Sequence, residues 1–333
     1  MAWKEVQSKK KSQKQTKLAL IVLGVMILLI VFGKLFAFTK ILFSPWENSQ
    51  TVQRNYTWNG DFNINLLIRT NTIFLLSYNP IKGKLTIISV PDKIYLEVPH
   101  SFGKWQIRAV YELGGDKLLK ETLASFFAVP VDGFLDLGKS STIKSVDELV
   151  DTLRENPFSG LSLLTNLKTN LTLWELLRLK YAISSLRFDK IKKINLERLG
   201  VLEEIKLADG TDVFTADPVK LDSVLSDFVE DKILEEHKSI ALFNATDKVQ
   251  LAQKWARLIT NIGGNVIITS NAQKKVRNTQ VTGEKSKTII RLSQIFKLGC
   301  SNNLNCDKID PKDTDLASRA QINLFLGEDY LSY

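Results

Sequence analysis

The first strong signal along the chain is an uninterrupted apolar run. Leu18–Gly33 (LALIVLGVMILLIVFG) is sixteen residues without a charge, and Leu35–Phe38 carries it past Lys34. The 21 residues from Leu18 to Phe38 span about 31 Å as a helix, matching a hydrocarbon core of about 30 Å. Residues 39–58 are polar with scattered aromatics and read as a juxtamembrane linker. From Asp61 the pattern turns to strands. Phe62, Ile64, Leu66 and Ile68 alternate with Asn63, Asn65 and Leu67. Thr72–Tyr78 and Leu85–Val90 are continuous apolar runs, and the turn residues between them make the pair an antiparallel hairpin. Tyr95–Val98 adds a short strand.

Helical spacing follows. Trp105–Leu113 reads as a helix ending at Gly114-Gly115, and Asp116 caps the next, through Leu119 and Leu123. Gly133–Leu137 reads as a strand. Ser145–Glu148 is a capping box that opens a helix stopped by Pro157. Thr172–Glu175 is a second box, with Leu173, Leu176, Leu177, Ala182, Ile183 and Leu186 behind it. Asp217-Pro218 opens a third helix, with the stripe Leu221, Val224, Leu225 and Phe228. Together these predict an α/β domain over residues 59–232. Residues 239–333 repeat the alternation on a smaller scale. Ile240–Phe243, a helix through Leu251, Trp255, Leu258, Ile259 and Ile262, then Val266–Thr269, a helix over Lys285–Leu298, and Ile322–Leu326 make a strand–helix–strand–helix–strand unit. The fold class is therefore α/β: a membrane-anchored mixed-sheet domain followed by a smaller α/β sandwich domain.

Charge sharpens the N-terminal reading. The chain has 333 residues and a net charge of +9, which looks like a nucleic-acid signal until it is located. Residues 1–17 hold six lysines against one acid, and Lys34 and Lys40 add to them, so the rest is nearly balanced. Lysines before an apolar span hold the N-terminus in the cytoplasm and leave the mass of the chain outside. A tail with one aromatic, Trp3, and no helix-turn-helix pattern gives no support for nucleic acid as a partner. A cleaved signal peptide is the alternative, but Ala37-Phe38-Thr39 offers no small-x-small site and the apolar run exceeds about 15 residues. The reading is a single-pass protein of the cell membrane.

Two Cys and two His, with His100 and His237 far apart, give no zinc-cluster spacing, so no metal ligands are assigned. Nucleophile-elbow, P-loop, zincin and dinucleotide-binding motifs are absent from the sequence. Cys300 and Cys306 flank a polar loop in a compartment where disulfides persist, and a bridge between them is the expectation; two unpaired small residues is the bland alternative.

Several strings resemble the catalytic domain of the LytR-CpsA-Psr family of bacterial cell-envelope proteins: RTNTIFLLSYNP (69–80), KLTIISVPDKIYLEVP (84–99), YELGG (111–115) and AVPVDGFL (128–135). Lys168–Thr172 with its helix is similar to a later part of that domain. ALFNATDKVQLAQKWARLI (241–259), Gly263–Val266 and FLGEDY (325–330) resemble the small C-terminal domain that often follows it. The resemblance implies a phosphotransferase that moves glycopolymer from a polyprenyl-pyrophosphate carrier onto peptidoglycan. That chemistry needs arginines to hold the pyrophosphate and carboxylates to hold Mg²⁺.

The family's functional positions are then the places to look, and they depart from its pattern. The loop carrying an Asp and an Arg after the first strand is missing, since Leu66–Ile68 runs directly into Arg69. The next family Asp falls on Asn71. The Pro-Arg-Asp run becomes Pro91-Asp92-Lys93, with both charges inverted, and a family Asn falls on Arg108. An Arg-rich segment has no counterpart between Leu137 and Pro157. No catalytic residue is assigned. Arg69, Asn71 and Arg108 are the substrate-binding candidates, with solvated surface arginines as the competing reading of Arg69 and Arg108. The substitutions favour a non-catalytic binding or scaffold protein without a cofactor. Its partners would be polyprenyl phosphate, cell-wall glycan or an envelope protein. The alternative is a divergent phosphotransferase, for which Mg²⁺ would be the cofactor.

Overall fold

The computed structural model describes residues 25–37, 39–40, 54–138, 143–154, 167–298 and 319–330. Cys300 and Cys306 lie outside the described residues, as do Pro157, residues 18–24 and Phe38 of the apolar run, and most of the linker. Residues 25–37 are helical, with side chains exposed from Val25 at 53% to Phe36 at 73%. Among the described residues no helix is long and apolar enough to cross a membrane.

The first sheet holds six strands: β1 (Ile64–Arg69), β2 (Ile73–Asn79), β3 (Lys84–Val90), and, beyond the small ribbon of β4 (Tyr95–Val98) and β5 (Gly103–Gln106), β6 (Gly133–Asp136), β7 (Lys168–Thr169) and β8 (Ile191–Asn195). Their order is β7-β6-β1-β2-β3-β8. The β1–β2 and β2–β3 pairs are antiparallel, whereas β6 lies parallel to β1 and β8 parallel to β3. The continuous apolar runs have a simple cause: both faces of this sheet are covered. Leu67, Leu75, Ile88 and Val90 pack on one side with α1 (Ile107–Phe127). Ile64, Leu66, Ile68, Phe74, Leu76, Leu85 and Ile87 pack on the other with α2 (Val146–Arg154) and α3 (Leu173–Ser184).

Both capping boxes form. In α3, the Glu175 N–H donates to the Thr172 hydroxyl at 3.2 Å, and the Thr172 N–H donates back to the Glu175 carboxylate at 2.8 Å. Helix α3 buries Glu175, Leu179 and Ile183, and Leu176, Ala182 and Leu186 pack with the same core as the spacing predicts, whereas Leu177 is 40% exposed. Trp105 is not helical; it lies in β5 opposite Leu96. The two helices predicted around Gly114-Gly115 both form and meet at a kink there; α1 is the pair taken together, with non-helical backbone at both glycines. Gly115 sits at φ 64°, ψ −158°, which only glycine adopts without strain. The end of the supposed linker is also packed: Trp58 is 4% exposed, and Arg54 pairs with buried Glu175.

After a second ribbon, β9 (Leu202–Lys206) with β10 (Asp212–Ala216), come the short helices α4 (Pro218–Val224) and α5 (Asp231–Glu236). Asp217 caps α4 through the Val219 N–H at 2.7 Å. A four-stranded sheet follows: β11 (Ser239–Asn244), β12 (Asn265–Asn271), β13 (Gln280–Gly283) and β14 (Ile322–Leu326), in the order β12-β11-β14-β13. Helix α6 (Leu251–Asn261) and helix α7 (Lys287–Ile295) flank it. Strand β13 is additional to the strand–helix–strand–helix–strand expectation. Ala128, at the end of α1, packs among the apolar side chains of this second unit.

Candidate functional site

Parallel strands β1 and β6 end side by side, with Arg69 opposite Asp136 in register. The carboxyl ends of parallel strands are where open α/β sheets commonly place ligands. Here that end is closed internally. The Arg69 Nη2 lies 2.5 Å from Asp136 Oδ2, and the guanidinium sits 3.6 Å from the centre of the Tyr111 ring. Arg69 is 9% exposed and Asp136 2%. The second Asp136 oxygen accepts the Gly138 N–H at 2.8 Å. Burial raises the Tyr111 hydroxyl above its ordinary range, with Asp116 and Asp136 adding to it and Arg69 opposing. The kink at Gly114-Gly115 follows directly on this turn of α1.

Of the three candidate residues, only Arg69 sits in this closed corner. It is buried, so the solvated-surface reading of Arg69 is wrong. A charge carried into a protein interior needs a counter-charge, and Asp136 supplies it. Asn71, in the β1–β2 turn, and Arg108, in the first turn of α1, are exposed. The Arg108 charge acts on Asp92; burial still raises the Asp92 carboxyl above its ordinary range. An acid therefore stands beside the exposed arginine of the candidate set. Among the described residues no group of three His, Cys, Asp or Glu is arranged to hold a metal ion. At this corner both Asp136 oxygens are engaged, one by Arg69 and the other by the Gly138 N–H.

A second charged cluster was not anticipated. Arg291 of α7 is 1% exposed and reaches across to the first unit. Its Nη1 and Nη2 lie 2.9 and 3.2 Å from the two Asp132 oxygens, and its Nε lies 2.9 Å from Glu230 Oε1. The Tyr56 hydroxyl and the Asn65 N–H also donate to Asp132, and the Asn63 N–H donates to Glu230 at 2.7 Å. Two acids share one guanidinium. Asp132 has the better set: burial raises it, but Arg291, Tyr56 and Asn65 prevail and hold it below its ordinary range. Glu230 is pushed up to about 7, chiefly by burial and against the pull of Arg291. One signal was available in sequence: Arg291 stands on the same helical face as Leu292 and Ile295.

Residues 64–154 match the LytR_cpsA_psr family. That stretch is a LytR_cpsA_psr domain. The regulatory protein MsrR of Staphylococcus aureus is 33% identical over 82 residues, which is 25% of this chain and 25% of the relative. The teichoic acid transferase TagU of Halalkalibacterium halodurans, named for transfer from polyisoprenyl-teichoic acid to peptidoglycan, is 24% identical over 91 residues, covering 27% and 30%. The alignments thus span well under half the length of these curated relatives. Among solved structures, Bacillus subtilis TagV is 14% identical, covers 49% of this chain and 94% of that one, and has a TM-score of 0.42. TagT with bound octaprenyl pyrophosphate lipid is 18% identical, covers 54% and 95%, and has a TM-score of 0.39. The LytR_cpsA_psr stretch contains β1 to β6, α1 and α2, and with them Arg69, Tyr111 and Asp136.

Proposed function

We propose that this chain is a single-pass envelope protein whose LytR_cpsA_psr domain binds its partner without catalysing transfer. The observation that carries the reading is the Arg69–Asp136 pair. The arginine at the strand ends is neutralised within the fold and covered by Tyr111, so it presents no free guanidinium to a pyrophosphate. Asp92 beside Arg108 opposes a second anion contact. Electrostatic stabilisers of a transferred phosphoryl group each contribute about 10²–10³ in rate when preorganised, and here the set is incomplete.

Polyprenyl phosphate and cell-wall glycan are the ligand classes that the TagU relationship suggests, with an envelope protein as the other partner class. In this reading residues 18–38 form the membrane anchor, the N-terminus is cytoplasmic, and residues 239–333 are the family's C-terminal unit. A divergent phosphotransferase is favoured by one observation: Arg69 Nε has no hydrogen-bond partner among the described residues. The full-length protein, purified in detergent and supplied with Mg²⁺, separates the two readings. With peptidoglycan present as acceptor, it should release no polyprenyl monophosphate from a polyprenyl-pyrophosphate glycan above the protein-free rate. Release that is lost in Arg108→Ala would establish the transferase instead.

A further inference from the structure

Away from the strand ends, a cavity of about 840 Å³, counted with its open mouth, lies between the two α/β units. One wall is the later half of α1 and the Ala128–Asp132 segment. The other is α6, the end of α7 and Tyr330. Trp255, Leu258, Ile295 and Val131 make much of its surface apolar.

Lys120 stands in this wall. It is 8% exposed, lines the cavity, and makes no hydrogen bond or ion pair among the described residues. The neighbouring acids are engaged elsewhere: Glu121 lies 2.7 Å from His100 Nε2, and Asp132 is held by Arg291. A second lysine, Lys297, lines the same cavity from beyond the end of α7, near enough for its charge to act on Lys120. Arg54 also lines it, and its charge acts on Lys120 as well. A buried ammonium without a counter-ion is costly. Burial, and the like charge of Lys297, push Lys120 down to about 8. The charges of Asp132 and Glu121 oppose this shift only in part, Glu121 acting on Lys297 as well, and a bound anion would complete the site.

We propose that the inter-unit cavity is a binding site for an organic phosphate monoester. Its phosphate would lie between Lys120 and Lys297, and its compact apolar body against Trp255 and Leu258. Two ammonium groups match the charge of a phosphate monoester better than that of a single carboxylate. The apolar wall favours an ester over the free anion. This site does not depend on the strand-end corner and holds whether or not the chain catalyses transfer.

The test is calorimetric titration of the full-length protein with 1-naphthyl phosphate. Inorganic phosphate, 1-naphthoate and 1-naphthol serve as the arms that separate phosphate, carboxylate and apolar contributions. The ester should bind, and each of the other three should bind at least tenfold more weakly. Lys120→Gln should weaken the ester at least tenfold. Lys297→Gln, at an exposed position that the fold tolerates, should weaken it several-fold without moving the thermal midpoint. The proposal is overturned if the wild type takes up no ester at millimolar concentration, or if Lys297→Gln binds it as the wild type does. Naphthol or inorganic phosphate binding as tightly as the ester would equally overturn it.

Discussion

The guanidinium of Arg291 grips both carboxylate oxygens of Asp132 from the opposite α/β unit, at 2.9 and 3.2 Å, with neither side chain more than 4% exposed. Asp132 stands just before β6, the strand that ends at Asp136. The contact therefore ties the C-terminal sheet unit to the strand that supports the candidate corner. Sequence and fold meet here: an arginine on the apolar face of α7 is tolerated because two acids from the first unit receive it.

Removing that arginine should be severe. Arg291→Met leaves Asp132 and Glu230 buried without their cation, and breaking a buried pair from one side typically costs about 3–5 kcal/mol. Urea denaturation of the variant against wild type measures this. By contrast Arg257→Met, which breaks a part-exposed pair with Asp222, should cost about 1 kcal/mol or less. Equal losses for the two variants would contradict the central place given to Arg291.

Glu230 gives the cluster a pH signature. Its carboxyl is pushed from an ordinary 4.5 up to about 7 by burial. A raised acid binds its proton more tightly in the folded state. Its contribution is complete below about pH 4.5 and is lost as pH rises through about 7. Asp132 runs the other way, because its lowered carboxyl loses its contribution only in acid. Glu230→Gln removes the first trend and keeps the second. The thermal midpoint of wild type, relative to Glu230→Gln, should therefore fall between pH 5 and pH 8. A difference that stays flat or rises across that window would show Glu230 to be ionised throughout.

Topology is open to a reporter experiment. An enzyme active only outside the cytoplasm, fused after Tyr333, should work, and the same enzyme at the N-terminus should not. Replacing Lys9–Lys11 and Lys14 with Gln should weaken the bias, since orientation follows flanking positive charge. Activity of a cytoplasm-only reporter after Tyr333 would overturn the anchor reading of residues 18–38.

The strands that were legible in sequence are those buried on both faces. Thr72–Tyr78 and Leu85–Val90 read as apolar runs around a turn, and the burial of nearly every position of β2 and β3 explains why. Ile191–Asn195 was not legible: as the edge strand β8 it leaves Lys192 and Lys193 exposed, so the apolar signal is diluted. The caps at Thr172 and Asp217 were legible because their hydrogen bonds are local. The charged clusters were not, because their partners are remote. Arg69 meets Asp136 67 residues away, and Arg291 meets Asp132 159 residues away. Which acid answers which arginine depends on the parallel register of β1 and β6 and on the docking of α7, and neither is written in local pattern. Asp132 and Asp136 both fall within or just after the AVPVDGFL string that marked the family resemblance. What that string did not disclose is that both acids hold arginines inside the fold.

In the proposed function Arg69 belongs to the fold and not to a ligand, and a double-mutant cycle on Arg69 and Asp136 decides between the two. Arg69→Met and Asp136→Leu each leave one buried charge unpaired, and each should lower unfolding stability by about 3–5 kcal/mol. The double variant should lose less than the sum of the two, because it removes both charges together. If Arg69→Met is as stable as wild type, or more stable, the guanidinium is one that the fold retains at the expense of stability in order to meet a ligand. That result would contradict the account and return Arg69 to the binding site.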